Sequence, residues 1–374
     1  MKIGILTLPF NNNYGGYLQC YALMTVLKRE GHEVELIYRR NNRRSLISRV
    51  KYIIKNIIKI ILRREHGPLI PNQEWEHRKR GRLMMSFVDT KISPKTSPIY
   101  TTEQLYQIIN KKNYDYIVVG SDQVWNPNYG QKHVQDFFLT ELPLNTPHRI
   151  TYAASFGLSE ALFSKEEQKD CGDAISKFDA ISVRENSGVD LINSYGWKVQ
   201  NTPTVVIDPT LLLPSNHYLS LINSQTCVKG NIFCYVLDKD ITTKHVVDKV
   251  VEITRLESFN IIDTEKWERS DYIMPSIESW LTGINNSKLV LTDSYHGMVF
   301  SIIMHKPFIV KVNKKRGGDR FVTLLKKLGL ENRMVNEVSD VETALNSQIA
   351  WGAVEDILRE ERLKSISFLK NNII

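Results

Sequence analysis

The side chains of this sequence best suited to chemistry stand where apolar runs give way to glycine and polar residues. In LTDSYHGMVF, Leu291 to Phe300, the imidazole of His296 is followed at once by Gly297, between SKLVL and MVFSIIMH. The first of these flanks reads as a short buried strand and the second as a packed helix. α/β proteins hold ligands beyond the carboxyl ends of strands at such joints. Imidazole changes charge near neutral pH and so suits proton transfer; a structural histidine at a strand end is the plainer alternative. VVGSDQVWN releases Gly120, Ser121, Asp122, Gln123, Trp125 and Asn126 after an apolar run. Hydrogen-bonding groups beside an indole suit a sugar, and a turn with a core tryptophan fits equally well. ISVREN sets Arg184 and Glu185 after another strand, where a guanidinium offers a planar fork to carboxylate or phosphate. A salt bridge would use the same pair. In NNNYGGYLQ, Gly15 and Gly16 let the backbone approach a ligand at a helix start, or simply form a turn. The loop is neither G-x-G-x-x-G nor a phosphate-binding P-loop, so it indicates neither a nicotinamide cofactor nor ATP. VIDPTLLL places Asp208 and Pro209 where capping, hinge duty or chemistry would each fit.

Strand and helix signals alternate around these stretches, which argues for α/β layers on largely parallel sheets. KIGILTL, EVELIY, YDYIVVG, RITYAAS, DAISV and TVVIDP read as strands of a first half; NIFCYVL, SFNIID, KLVLT and PFIVKV read as those of a second. The expected organisation is an N-terminal Rossmann-like domain over 1–213 and a C-terminal one over 214–345, with a cleft between them. The last segment, 346–374, is expected as a helix packing back across the hinge.

The 374 residues suit about two domains, and 42% hydrophobic with 24% charged residues is the balance of a soluble globular protein. No secretory signal is expected from the opening residues, and no run of about 18 apolar residues suggests a membrane span. Cys20, Cys171, Cys227 and Cys234 show no metal-ligand spacing, so reduced thiols and no metal site are expected. The net charge of +8 is concentrated: Arg39 to Arg64 holds ten Lys or Arg and no acid, which leaves −2 for the rest. Within it a helix over about 44–64 carries an apolar stripe of Leu46, Ile47, Val50, Ile53, Ile54, Ile57, Ile58, Ile61 and Leu62. Arg49, Lys51, Lys55, Asn56, Lys59 and Arg63 fill the remaining surface. Such a helix can lie in the interface of an anionic bilayer; a stripe packed on the domain is the alternative. Few aromatics accompany the charges, so no nucleic-acid partner is expected.

NNNYGGYLQCYAL, VVGSDQVWN, ISVREN, VIDPTLLL, SIESWLTGINNSKLVLTDSYHGMVFSIIMHKPFI and RGGDRF, in this order, resemble the polysaccharide pyruvyl transferase family over roughly residues 3 to 325. The resemblance implies two Rossmann-like domains facing a cleft, as in GT-B glycosyltransferases. It implies transfer of the pyruvyl unit of phosphoenolpyruvate onto two sugar hydroxyls as a ketal, in surface polysaccharide biosynthesis, with no nucleotide, metal or other cofactor. The implied partners are phosphoenolpyruvate and a sugar acceptor such as a lipid-linked oligosaccharide. Apart from the resemblance, the thiols and the basic helix give the expected location: cytoplasmic, with that helix as the means of a peripheral place on the membrane face. The family's histidine falls on His296, the general acid, and its arginine on Arg184, the clamp on the donor's anions. Where the best-known members carry a second arginine, Ser294 stands here, so Arg316, Arg320 or Lys306 is expected to complete the clamp. Asp122 and Asp293 are expected to orient or deprotonate sugar hydroxyls. Glu185, Ser121, Gln123, Trp125, Asn126, Gly15, Gly16, Ser294, Tyr295 and Gly297 are expected to line the substrate site. The same fold would also serve a glycosyltransferase using a nucleotide sugar, or a non-catalytic glycan-binding protein at the membrane.

Overall fold

The computed structural model describes residues 1–41, 46–62, 79–129, 133–143, 147–158, 163–222, 230–238, 240–263, 272–312 and 317–374; Arg316 and Cys227 lie outside them. Two parallel sheets form the frame. The first has the order β2-β1-β3-β4-β5-β6, from β1 (Lys2–Leu6), β2 (Glu33–Ile37), β3 (Tyr116–Asp122), β4 (His148–Ala154), β5 (Ser182–Val183) and β6 (Thr204–Val205). The second has the order β11-β10-β9-β7-β8, from β7 (Ile232–Tyr235), β8 (Ser258–Phe259), β9 (Leu289–Thr292), β10 (Phe308–Lys311) and β11 (Met334–Val335). Ile3 sits opposite Val34 on one side and Tyr116 on the other; Phe233 sits opposite Val290. The central strands are buried on both faces, which is why they read as continuous apolar runs rather than alternating ones.

Strand order fixes where ligands can go. The chain leaves β1 for β2 on one side and then places β3 on the other; likewise it leaves β7 for β8 and then places β9 on the opposite side. Each reversal opens a crevice outside the carboxyl ends of the two diverging strands. The loop after β1 leads into α1 (Tyr14–Arg29), capped by Asn13, whose side chain accepts from Gly15 N–H. Past the joint come α2 (Leu46–Ile61), α3 (Asn186–Ser194) after β5, α4 (Ile277–Asn286) before β9, α5 (Tyr295–Ile303) after β9 and α6 (Asp319–Lys327) after β10.

The two halves share one continuous core. Tyr14, at the start of α1, stacks on Trp280 of α4 at 5.3 Å and donates through its hydroxyl to Pro275 O at 2.9 Å. The last helix, α7 (Trp351–Asn372), returns to the first half. Arg362 Nε donates to Leu211 O, Ser365 Oγ accepts from Ile207 N–H, and Lys370 pairs with Glu30. Among the described residues no helix is long and apolar enough to cross a membrane.

Candidate active site

Both strand reversals open onto one cleft. Phe10, Asn11, Asn12 and Asn13 line it from the loop after β1, and Asp122 and Gln123 from the end of β3. Tyr235, Leu237, Asp293, Ser294, Tyr295 and His296 face them from the second half, with Arg320 of α6 beside them; the cavity holds about 320 Å³.

His296 owes its place to two glycines. α5 is mostly apolar and buried at every position, so it presses directly on the sheet. At Gly297 a Cβ would lie 2.4 Å from Thr292 Oγ1, so only glycine lets the first turn sit against the end of β9. Ser294 caps this turn, accepting from Gly297 N–H at 3.4 Å while its own N–H donates to Thr292 Oγ1. On the facing half, a Cβ at Gly15 would stand 1.9 Å from His296 Nδ1, whereas one at Gly16 would meet nothing nearer than 3.7 Å. Gly15 thus admits the imidazole edge-on against the start of α1. Gly15→Ala is expected to cost about 1–3 kcal/mol of stability through overpacking, and Gly16→Ala next to nothing. Denaturant unfolding of the two variants checks this; equal midpoints would remove the steric role of Gly15.

The other edge of the imidazole faces a carboxylate that joins the halves. His296 Nε2 is buried without a hydrogen-bond partner and lies 3.6 Å from Asp208 Oδ2, close enough for charge attraction. Asp208, fully buried, caps the 3-10 turn Pro209–Leu212 through Thr210 N–H and Thr210 Oγ1. It also accepts from Ser121 Oγ at 3.2 Å and from Arg184 Nη1 at 2.9 Å. Burial alone would raise the Asp208 carboxyl. His296, Arg184 and Thr210 outweigh burial and hold it far below the usual carboxylate range. Sequence reasoning left this residue among three readings; its capping position was legible, its bond to Arg184 was not.

Two guanidiniums gather around one phenol ring. Arg184 Cζ lies 4.6 Å and Arg320 Cζ 5.3 Å from the centre of the Tyr295 ring. Asp122 stands 3.6 Å from Arg184 Nη2 and 4.0 Å from Arg320 Nη1. Its backbone is left-handed, with φ +74°, a conformation uncommon outside glycine. Burial, then the neighbouring Arg184, pushes the Arg320 guanidinium below its ordinary value. A bound anion would relieve that penalty. Arg184 Nε and Nη2 make no hydrogen bond and sit behind the cleft wall, while Arg320 lies in the wall itself.

The structure also redistributes several expected site residues. Trp125 does not face a sugar: it is fully buried against Phe138, Phe156 and Phe178, and its Nε1 donates to Phe137 O. Asn126 is buried and donates to Gln123 Oε1, which leaves Gln123 as the cleft residue of the pair. Asp293 accepts from Leu237 N–H at 2.7 Å and Asp238 N–H at 2.8 Å, so it clips the loop after β7 rather than standing free for a hydroxyl. Glu185 lies behind the wall and accepts from Ser155 Oγ at 2.6 Å; burial first of all raises its carboxyl. Ser121 is engaged by Asp208. Lys306 follows the far end of α5 from His296 and does not join the clamp. Phe10, Gln19, Tyr129 and Tyr235 line the cleft without having been singled out. Gln19 had one sequence signal: it falls four residues after Gly15 on the same face of α1.

The architecture is that of solved GT-B proteins. A Listeria monocytogenes protein assigned as a UDP-N-acetylglucosamine 2-epimerase superposes with a TM-score of 0.55 at 10% identity, covering 98% of this chain and 91% of its own. The Methanocaldococcus jannaschii UDP-GlcNAc 2-epimerase bound to UDP-GlcNAc and UDP gives 0.52 at 13% identity, covering 96% and 99%. S. aureus MnaA with UDP gives 0.50 at 11%, covering 98% and 90%. At such identities the likeness establishes the fold alone. No curated protein sequence matches the chain. A family model described as polysaccharide pyruvyl transferase matches residues 13–315, from the loop at α1 past β10. That span holds the second strand reversal, His296, Arg184 and Asp208, and the chain therefore belongs to the polysaccharide pyruvyl transferase family.

Proposed function

We propose that the cleft transfers the pyruvyl unit of phosphoenolpyruvate to two hydroxyls of a sugar as a ketal. The observation that carries this reading is the meeting of His296 with Arg320 and the buried Arg184 where both strand reversals open, in a chain of this family. A proton donor is wanted because the donor's enol carbon C3 must gain a proton as a sugar oxygen bonds to C2. Asp208 faces Nε2 and Gly15 fits against the Nδ1 edge, so the ring is held in one orientation where it lines the cleft. Arg320 meets the donor's carboxylate or phosphate, and Arg184, buried behind it among Asp122, Glu185 and Asp208, adds its positive charge from behind the wall. Phosphate departs with the C2–O bonding pair and takes up the proton of the first hydroxyl. The second hydroxyl then closes the ketal, and its proton replaces the one given to C3. Asp122, beside both guanidiniums at the cleft wall, orients the sugar hydroxyls. No nucleotide, metal or other cofactor takes part in this scheme. The acceptor is a sugar of a surface polysaccharide in the making, carried on a lipid, and the protein works as a peripheral partner of the cytoplasmic membrane face.

Incubation with phosphoenolpyruvate and candidate sugar diols tests the reading. Phosphate release coupled to a ketal adduct detected by mass spectrometry is expected. Turnover of a nucleotide sugar with no use of phosphoenolpyruvate would overturn it. Arg320→Lys is expected to raise the KM for phosphoenolpyruvate about 10- to 100-fold, since a point charge cannot replace a fork. A change confined to the acceptor KM would move Arg320 to the sugar side.

A further inference from the structure

The helix α2 is mounted the wrong way round for an ordinary surface helix. Its polar Asn56 is buried at 4% exposure and Tyr52 and Ile53 are half-buried, so that side faces the protein. Val50, Ile54, Ile57, Ile58, Ile61 and Leu62 point away, each between 43 and 73% exposed. Three of these, Ile54, Ile58 and Leu62, share a shallow surface depression with Lys51, Lys55 and Lys59. A soluble helix normally turns such a stripe inward, and an exposed apolar patch of this size marks an interaction surface. The composition identifies the partner. The lysines run along one edge of the stripe, and no acid occurs anywhere from Arg39 to Arg64. A protein groove lined with isoleucine-sized pockets would not call for an unbroken cationic flank, whereas an anionic bilayer rewards both halves of the pattern.

We propose that α2 is a docking surface for an anionic lipid bilayer, with the isoleucine stripe sunk among the acyl chains and Lys51, Lys55 and Lys59 at the headgroups. This deepens the peripheral location proposed above and rests on it; it does not rest on the transfer chemistry, because docking is read without turnover.

The test is sedimentation of the full chain with vesicles of phosphatidylcholine alone or mixed with phosphatidylglycerol. Binding to the anionic vesicles at low salt is expected, with much less to the neutral ones. Raising salt from 0.1 to 1 M, which shortens the Debye length from about 10 to about 3 Å, should weaken it. Lys51→Glu, Lys55→Glu and Lys59→Glu together should lower partitioning about 100-fold or more. Ile54→Ser, Ile58→Ser and Ile61→Ser should abolish it even at low salt; all six positions lie on the surface, so unchanged circular dichroism is expected. Sedimentation that survives both sets of substitutions would overturn the assignment of α2 while leaving the peripheral location in place. No sedimentation of the unaltered protein would overturn both. Concentration-dependent dimerisation lost in the serine variant would instead give the stripe to a second copy of the chain and overturn the lipid assignment.

Discussion

His296→Ala is expected to lower phosphate release from phosphoenolpyruvate by about 10²- to 10⁴-fold, the usual contribution of a positioned proton donor. The reason lies in how narrowly the imidazole is held. Gly15 fits against one edge, Asp208 faces the other, and Tyr295 meets the ring edge-on at 5.4 Å between centroids. Such a side chain cannot be replaced by water at the same point. Donor binding should change far less than turnover, because the charges that hold the donor belong to Arg320 and Arg184. Single-turnover phosphate release with the variant, beside its circular dichroism, checks this. Equal rates in a folded variant would remove His296 from the chemistry.

Asp208→Asn should have the second-largest effect, on stability as well as on rate. Arg184 is buried with Asp208 as its one hydrogen-bonded counter-ion, and removing one member of a buried pair costs about 3–5 kcal/mol. The dependence on pH has a definite direction. The Asp208 carboxyl is held below its unfolded value of about 3.9, so its stabilisation is complete above that pH and fades as pH falls below it. Denaturant unfolding should therefore separate the variant from the parent widely at pH 7 and less at pH 3. A constant gap across that range would mean that the ion pair is not its source. The rate should fall too, because His296 loses the group facing Nε2, and this loss should appear in kcat more than in the KM for the donor. A loss confined to stability would leave Asp208 as a structural ion alone.

Much of this protein was legible from residue order. The alternating apolar runs became two parallel sheets, because strands buried on both faces must be apolar throughout. His296, Arg184, Asp122 and Ser294 could be placed at strand ends for the same reason: polar side chains directly after a buried run have nowhere else to go. The basic helix was readable from its period and its lack of acids. Which way that helix faced was not readable, because periodicity names a stripe without saying whether protein or solvent lies beneath it. The roles of Trp125 and Asp293 were likewise undetermined, since both follow a strand as a ligand residue would. Only packing showed that Trp125 fills an aromatic core and that Asp293 ties down the amides of Leu237 and Asp238. Tertiary structure also decided the central pairing. Asp208 and His296 are 88 residues apart in sequence and lie on different halves; they meet because Tyr14 and α7 fasten those halves together. Local sequence specifies which groups stand at the ends of strands, but contacts between domains depend on how two surfaces fit, and no single stretch encodes that.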